Sequence, residues 1–269
     1  MKIDGEKGDG PKFVKQFNIP GYPTLIFVNT DGVEIDRIIG YRSVDEFLHE
    51  IERINSNHGT IDDLTQQLTV RSKDDSLLIK LAEKWEDRGA HNSAMKYWKM
   101  LLIQSNNRNE LAQFRVAQNK TKIEKSPKFL LDLIDSYPDN KYLPDAYRSL
   151  QNYYRVEHDT IAEANIYLSL ITLLAETDKA SASDLNGYAW RMTQLELNLE
   201  DGLEKIKQAV LMVSDEDYKT QAQMMDTKAE VLWKLGRSKE AVGVIKQCIQ
   251  LQPEDNYYQK QKEKFEKTR

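Results

Sequence analysis

The sequence predicts a mostly α-helical chain, in which a solenoid of helix pairs follows a small α/β unit of order β-α-β-β-α. Three observations predict this organisation. A β-rich apolar run at residues 24–28 follows a proline loop near the start of the chain. Composition then turns polar at residues 55–59, which is typical of a linker. Beyond it, apolar and small residues recur at helical spacing. We therefore predict an α/β unit at residues 1–55, a linker at 56–60 and a helical-repeat domain at 61–269.

The α/β unit is predicted from short local patterns. Residues 2–4 are expected to end a strand, and residues 10–17 to form a short helix. Strands at residues 24–29 and 33–39 flank Asp31-Gly32, and an Asp-Gly pair between two apolar runs indicates a hairpin. The apolar face of the short helix consists of Phe13, Val14 and Phe17.

A second helix is predicted directly after the hairpin. Ser43 can cap it, and Glu46 three residues later completes a capping box. Its apolar stripe consists of Phe47, Leu48, Ile51 and Ile54. These elements give the unit a second helix with one side available for packing.

The proline loop at residues 19–28 carries the most specific local signal. Pro20 and Pro23 bracket Gly21-Tyr22 and lead directly into the apolar strand. An X-Pro bond costs only about 0.5–1 kcal/mol in the cis form, so Tyr22-Pro23 is a candidate cis peptide bond. With the elements around it, this loop resembles the C-terminal half of the thioredoxin fold.

That resemblance implies a binding role for Tyr22 and Pro23. In the thioredoxin family the residue before the cis-proline pairs its backbone with an extended substrate peptide. Carried over, this role falls on Tyr22 and Pro23, with Gly40 keeping the neighbouring surface open. The alternative is that Pro23 only shapes the turn.

The Cys-x-x-Cys half of the thioredoxin pattern has no counterpart in this chain. Cys248 is the single cysteine, and one thiol cannot provide the attacking and resolving pair of dithiol exchange. We expect no redox catalysis from the chain itself. Two explanations stay open: an N-terminally truncated reading frame, or a degenerate, non-catalytic domain. The compartment is unknown: cytoplasmic for the chain as written, periplasmic or cell envelope for a parent with a signal peptide.

Two stretches of the helical part, at residues 78–101 and 225–253, share one spacing of small, large and glycine positions. Small residues let two helices approach closely, and large ones fill the groove between pairs. Glycines end the first helix of each pair, and Pro253 follows the second helix of the last. The matching positions are Leu78, Leu81, Ala82, Trp85, Gly89, Ala94, Trp98 and Leu101, then Met225, Ala229, Leu232, Gly236, Ala241, Ile245 and Cys248. Both stretches resemble tetratricopeptide (TPR) repeats, whose period of about 34 residues fits both.

Weaker repeats are predicted between these two. Residues 137–140 are interpreted as the end of one pair, and residues 186–190 and 203–210 as parts of another with a shifted loop. An irregular pair spans residues 111–134, where residues 119–127 are too polar to assign. We predict four repeats in all, besides the irregular pair. Residues 254–269, rich in Lys and Glu, are expected to form a solvated capping helix.

Composition excludes several function classes. A net charge of -5 with a pI near 5.6 argues against nucleic acid as a partner. The β-rich apolar run at residues 25–28 is far shorter than the roughly 20 residues of a membrane span, so none is expected. The four histidines are scattered, and we predict neither a metal site nor a cofactor. Cys248 and the tryptophans at 85, 98, 190 and 233 are interpreted as core residues.

Two function hypotheses follow from the sequence. In the first, a thioredoxin-like thiol–disulfide protein holds clients through its helical repeats, and this chain retains the substrate loop and the repeats. In the second, the chain is a non-catalytic scaffold whose helical-repeat groove binds protein or peptide partners. The first requires cysteines from elsewhere; the second leaves the proline loop unexplained.

Overall fold

The computed structural model describes residues 2–214 and 216–267 of the chain. These residues contain fourteen α-helices and one two-stranded sheet, and most of the helices form TPR-like antiparallel pairs. The predicted fold class, mostly helical with a small α/β unit at the start, is confirmed. The N-terminal elements are α1 (Gly10–Gln16), β1 (Thr24–Val28), β2 (Glu34–Ile39) and α2 (Val44–Asn55).

Two compact units divide the chain, one ending at Tyr142 and the other beginning at Leu143. The first unit continues after α2 with α3 (Ile61–Val70), α4 (Asp75–Asp87), α5 (His91–Gln104), α6 (Glu110–Glu124) and α7 (Lys128–Ser136). The second contains α8 (Leu143–Val156), α9 (Thr160–Glu176), α10 (Ala182–Leu195), α11 (Leu199–Leu211), α12 (Tyr218–Lys234), α13 (Ser238–Leu251) and α14 (Asn256–Glu266). The predicted domain boundary at residues 56–60 stays a prediction.

The hairpin forms as its turn residues predict. β1 and β2 pair antiparallel, with Thr24 opposite Ile39 and a register shift after Phe27. Asn29 Oδ1 accepts hydrogen bonds from the amides of Asp31 and Val33, at 3.0 and 2.9 Å. A side chain that bonds its own following backbone in this way stabilises a tight turn.

Residues 2–4 form no strand, contrary to the prediction. Within the described residues the sheet consists of β1 and β2 alone. A strand needs a neighbour to satisfy its amides and carbonyls, and none lies beside residues 2–4.

The capping box at the start of α2 is confirmed, because Ser43 and Glu46 exchange both hydrogen bonds. The prediction that Leu48 belongs to the packed apolar stripe of α2 is wrong, because this residue is 57% exposed.

The TPR-like positions lie where the repeat pattern predicts. Ala82 and Ala94 are fully buried where α4 and α5 cross, beside the fully buried Trp98. Gly89 and Gly236 have φ of +66° and +76° after the first helix of their pairs. Glycine adopts this left-handed conformation without a Cβ penalty, so each first helix can end in a short turn.

The polar stretch at residues 119–127 is helical in its first half. α6 continues to Glu124, and Asn119 is 1% exposed. The side-chain amide of Asn119 donates hydrogen bonds to Glu86 Oε1 at 2.5 Å and to Arg115 O at 2.8 Å. Residues 119–124 could not be assigned from sequence, because α6 buries the polar side chains of Asn119 and Thr121 here, and the partner of Asn119 lies on α4.

The tryptophans differ in their burial. Trp98 is fully buried, and Trp85 and Trp233 pack against the hydrophobic cores of their units. The prediction is wrong for Trp190, which is 39% exposed on α10. Tyr188 and Ala189 already fill the crossing between helices in this turn, so Trp190 projects to the outside.

Charged residues attach the hairpin to α4 in the first unit. The Asp36 side chain on β2 is 3% exposed and accepts hydrogen bonds from Lys84 of α4 and Arg53 of α2, each at 2.8 Å. Arg37 donates to Asp87 O at 2.7 Å and to Phe17 O at 2.8 Å. Several donors thus hold one buried strand against the end of one helix.

Candidate functional site

The Tyr22-Pro23 loop leads into β1 with an exposed aromatic ring. The Tyr22 side chain is 62% exposed, and the peptide bond to Pro23 is cis. Pro23 O accepts a hydrogen bond from Gly40 N at 2.8 Å, and Thr24 Oγ1 donates to Gly21 O at 2.7 Å. These two bonds hold the loop to the hairpin at its base. A Cβ added at Gly40 would lie 3.8 Å from Arg42 Nη1, the nearest atom beyond its chain neighbours. The role of Gly40 in keeping this surface open stays a prediction.

An apolar cavity of about 460 Å³ lies between this loop, α1 and one face of β1. Phe13 and Phe17 stack on one side of it, with ring centroids 6.5 Å apart. Ile26 contributes from the strand. The remaining large side chains around the cavity are Ile3, Val14, Ile19, Tyr22 and Val28. Apart from Tyr22 Oη and the polar groups of Gln16 and Thr24, its walls are hydrocarbon or backbone, which suits an apolar side chain.

Gly5 permits the close approach of the Tyr22 ring. A Cβ added at Gly5 would lie 2.3 Å from Tyr22 Oη, a distance that would force the ring to move. The segment before α1 is therefore part of the cavity wall, although it forms no strand. This contribution was missed from sequence, because glycines in a polar connection carry no signal of what packs on them.

The outer edge of β1 has no strand partner within the described residues. Pro23 O and Asn29 N bond to the β2 side of the hairpin. Residues whose backbone bonds to the partner strand alternate with residues whose backbone points away from it in an antiparallel pair. Thr24 and Ile26 therefore direct their backbone N–H and C=O groups to the side away from β2. The same two residues line the cavity with their side chains. One edge therefore offers both ladder hydrogen bonds and an apolar pocket.

The other edge of the hairpin is covered. Arg88, just after α4, donates to Ile35 O on β2 at 2.8 Å and approaches Glu34 at 3.1 Å. Proteins commonly protect sheet edges with charged side chains in this way. The contrast between the two edges marks β1 as the accessible one.

No thiol or metal centre accompanies this site in the described part of the chain. Cys248 lies on α13, fully buried, and burial raises the pKa of its thiol to about 12. Residues 2–214 and 216–267 contain no group of three potential ligands that could hold a metal ion. His91 Nδ1 lies 2.9 Å from Asn119 Oδ1, and burial lowers the pKa of this histidine. Within the described residues, the β1 site consists of backbone hydrogen-bonding groups and an apolar cavity.

The second unit contains a polar cluster that the sequence did not reveal. Asp226 and Glu230, one turn apart on α12, are 8% and 5% exposed. Tyr257 of α14 donates to Asp226 Oδ2 at 3.0 Å, and Lys264 donates to Glu230 at 2.7 and 2.8 Å. Asp226 Oδ1 is buried without a hydrogen bond from any described residue. Two carboxylates one helical turn apart on α12 were the only available signal in the sequence.

Burial makes the second unit sensitive to pH through Asp226. Desolvation raises the pKa of Asp226 from 3.8 to about 6; Glu230 adds to the rise, and Tyr257, Lys264 and Gln261 oppose it. The folded state therefore holds a proton that the unfolded chain releases, and stability falls as pH rises from about 4 to 6. Two pKa units correspond to about 3 kcal/mol. We expect Asp226→Asn to stabilise the unit by about 2 kcal/mol at neutral pH and to flatten this dependence.

Thermal melts followed by circular dichroism over this pH range would measure the effect. Asp217→Asn is the matched control, because Asp217 is an exposed helix cap whose pKa is lowered by Thr220, and asparagine caps equally well. Melts of Asp226→Asn that follow the wild-type pH profile would contradict the assignment.

No family model matches the chain, and no curated protein matches it. Among solved structures, BtubC (BKLC) from P. vanneervenii has 10% identity and a TM-score of 0.48, covering 72% of this chain and 87% of its own. YrrB, described as a TPR protein with an unusual peptide-binding site, has 11% identity and a TM-score of 0.47, covering 76% and 99%. TPR-like repeats of a Podosopora anserina kinesin light chain have 12% identity and a TM-score of 0.46, covering 65% and 93%. All three TM-scores are below 0.5, and the packing of the chain's own helices defines its fold.

Among the described residues, no helix combines the length and apolar character needed to cross a membrane.

Proposed function

We propose that this chain is a protein-interaction scaffold that binds an extended segment of a client protein along β1, beside the Tyr22-Pro23 loop. The observation that carries the proposal is the open edge of β1 directly above an apolar cavity. An added strand would satisfy the outward backbone groups of Thr24 and Ile26 and place one side chain in the cavity. Strand addition of this kind derives affinity from main-chain bonds and specificity from alternate side chains.

The thioredoxin-like resemblance supports the same surface. The order of α1, the proline loop, the hairpin and α2 agrees with the C-terminal half of that fold. We propose Tyr22 and Pro23 as client contacts on this basis. Thiol–disulfide exchange is a second candidate, for a longer parent protein only, because the single thiol of this chain is buried on α13. The helical repeats are proposed as further contacts for protein partners.

Binding of an unfolded protein would test the proposal. Reduced, carboxymethylated α-lactalbumin is a suitable probe, because it stays unfolded and has no reactive thiol. We expect the labelled probe to bind the full chain and to slow hydrogen exchange at the Ile26 amide. Ile26→Lys should weaken binding about tenfold, or about 1.4 kcal/mol, because it puts a charge at the edge and in the cavity.

Val33→Lys is the matched control, since Val33 lies on the same hairpin, is 61% exposed and is not part of the cavity. Tyr22→Ala provides a second variant that removes an exposed contact with little effect on folding. Equal binding by wild type, Ile26→Lys and Tyr22→Ala would show that clients do not use this edge.

A further inference from the structure

The C-terminal helix α14 takes the place of the first helix of another pair. α12 packs against both helices of the pair before it, α10 and α11. α14 packs in the same way against α12 and α13. The surface that the last pair presents to a following element is thus filled by a segment of the same chain. That segment shows which chemistry the surface accepts.

The contacts between α14 and α12 are polar and directional. We call Asp226, Glu230 and Trp233 the α12 acceptor face. Tyr257 and Lys264, seven residues apart on one side of α14, donate to Asp226 and Glu230 respectively. The Lys264 Nζ also lies 4.6 Å from the centre of the Trp233 ring, within the range of a cation–π contact.

Apolar contacts complete the recognition. Phe265 of α14 is fully buried, and its ring centre lies 5.8 Å from that of Trp233. Tyr258 is also buried against the core of the second unit. A donor, a lysine seven residues later and an adjacent aromatic residue together describe one face of an amphipathic helix.

α14 leaves the acceptor face incompletely satisfied. The Asp226 side chain is more than nine-tenths buried, and its Oδ1 is unpartnered in the described residues. A buried carboxylate oxygen without a donor costs free energy, so an occupant that supplies one more donor would bind better than α14 does. α14 has 11 residues, and a helix of that length is marginal without its packing contacts. α14 therefore depends on these packing contacts for its structure, and a partner that takes over the same contacts would displace it as an unfolded segment.

We propose that the α12 acceptor face binds a basic amphipathic helix of a partner protein, and that α14 covers this face in competition with the partner. Charge complementarity argues for this occupant, because two buried carboxylates require donors from whatever covers them. The partner helix carries a hydrogen-bond donor and a lysine seven residues apart, followed by an aromatic residue. This surface is distinct from the β1 edge, and the proposal does not depend on the client site.

Loosening α14 in the full chain would test the competition. Lys264→Glu places a negative charge beside Glu230, and this repulsion should release the helix. The probe is a fluorescein-labelled synthetic peptide with the natural sequence of residues 254–267, measured by fluorescence anisotropy. We expect it to bind the Lys264→Glu chain about tenfold tighter than wild type, whose own helix competes. Lys260→Glu is the matched control, because it makes the same charge change at an exposed position of α14.

Two further measurements separate binding from unfolding. Hydrogen exchange should become faster in α14 of the Lys264→Glu chain, while α12 and α13 stay protected. A chain with Glu230→Lys and a peptide with Lys264→Glu should restore the pair in reversed polarity. Weak, equal binding of the natural peptide to all chains, or loss of protection in α12, would overturn the proposal. So would failure of the charge-reversed pair.

Discussion

Replacing Asp36 with alanine is expected to lower the free energy of unfolding of the first unit by about 3 kcal/mol. The carboxylate is almost fully buried and accepts hydrogen bonds from Lys84 and Arg53. Without it, both cations stay in a partly buried environment with no compensating charge in this position. The value lies at the low end for buried pairs, because Lys84 and Arg53 retain 22% and 16% side-chain exposure.

Urea unfolding of the full chain, with hydrogen exchange at β2 and α4, would measure this loss. Glu52→Ala is the matched control, since Glu52 is an exposed carboxylate on α2 in the same unit. We expect the control to change stability by less than about 0.5 kcal/mol. An Asp36→Ala chain as stable as the control would mean that the ion pairs contribute nothing to docking of the hairpin.

The pH dependence of this site has the opposite sign to that of Asp226. Burial acts to raise the pKa of Asp36, but hydrogen bonds from Lys84 and Arg53 outweigh it and hold the pKa below 3.8. Stability from Asp36 is therefore present above about pH 4 and lost as pH falls through the folded pKa. Acid should loosen the hairpin of the first unit while it favours the folded state of the second through Asp226.

Trp98→Ala is expected to cost about 3–5 kcal/mol in the first unit. The ring is fully buried between α4, α5 and α6, and its Nε1 donates to Glu86 Oε1 at 2.8 Å. Truncation would leave a large cavity and remove one of the donors that keep Glu86 satisfied. The same urea titration measures the loss.

Two further variants test this prediction. Trp98→Phe keeps an aromatic ring but removes the donor and part of the buried volume, so it should cost less than Trp98→Ala, with about 1–2 kcal/mol of its loss belonging to the hydrogen bond. Trp190→Ala is the matched control, because Trp190 is 39% exposed. Equal losses for Trp98→Ala and Trp190→Ala would contradict the burial on which the first prediction depends.

The two proposed surfaces differ in their chemistry. The β1 edge offers backbone groups and a hydrocarbon cavity, so it suits an extended segment of varied sequence. The α12 acceptor face offers buried carboxylates and an indole ring, so it suits a helix with defined donors. A scaffold with both surfaces could hold an extended client segment on one unit and a helical partner on the other.

Local chemistry in the sequence by itself determined several parts of this protein. Asp31-Gly32 specified the hairpin, Ser43 with Glu46 the start of α2, and Gly89 the end of a repeat helix. These outcomes depend on residues a few positions apart, whose hydrogen bonds and backbone preferences are the same in any surroundings. The alternation of small and large residues likewise predicted the helix pairs, because close packing requires it.

Only the tertiary structure decided which edges, charges and rings are available. Trp98 and Trp190 both follow a helical pattern, yet one is buried and the other exposed, because neighbouring helices fill the space differently. The polar residue Asn119 is buried because Glu86 of another helix accepts a hydrogen bond from its side chain. The open edge of β1 and the unsatisfied carboxylate of Asp226 likewise depend on what lies beside them. A residue's neighbours across the fold set its burial and pairing, and sequence spacing does not specify those neighbours.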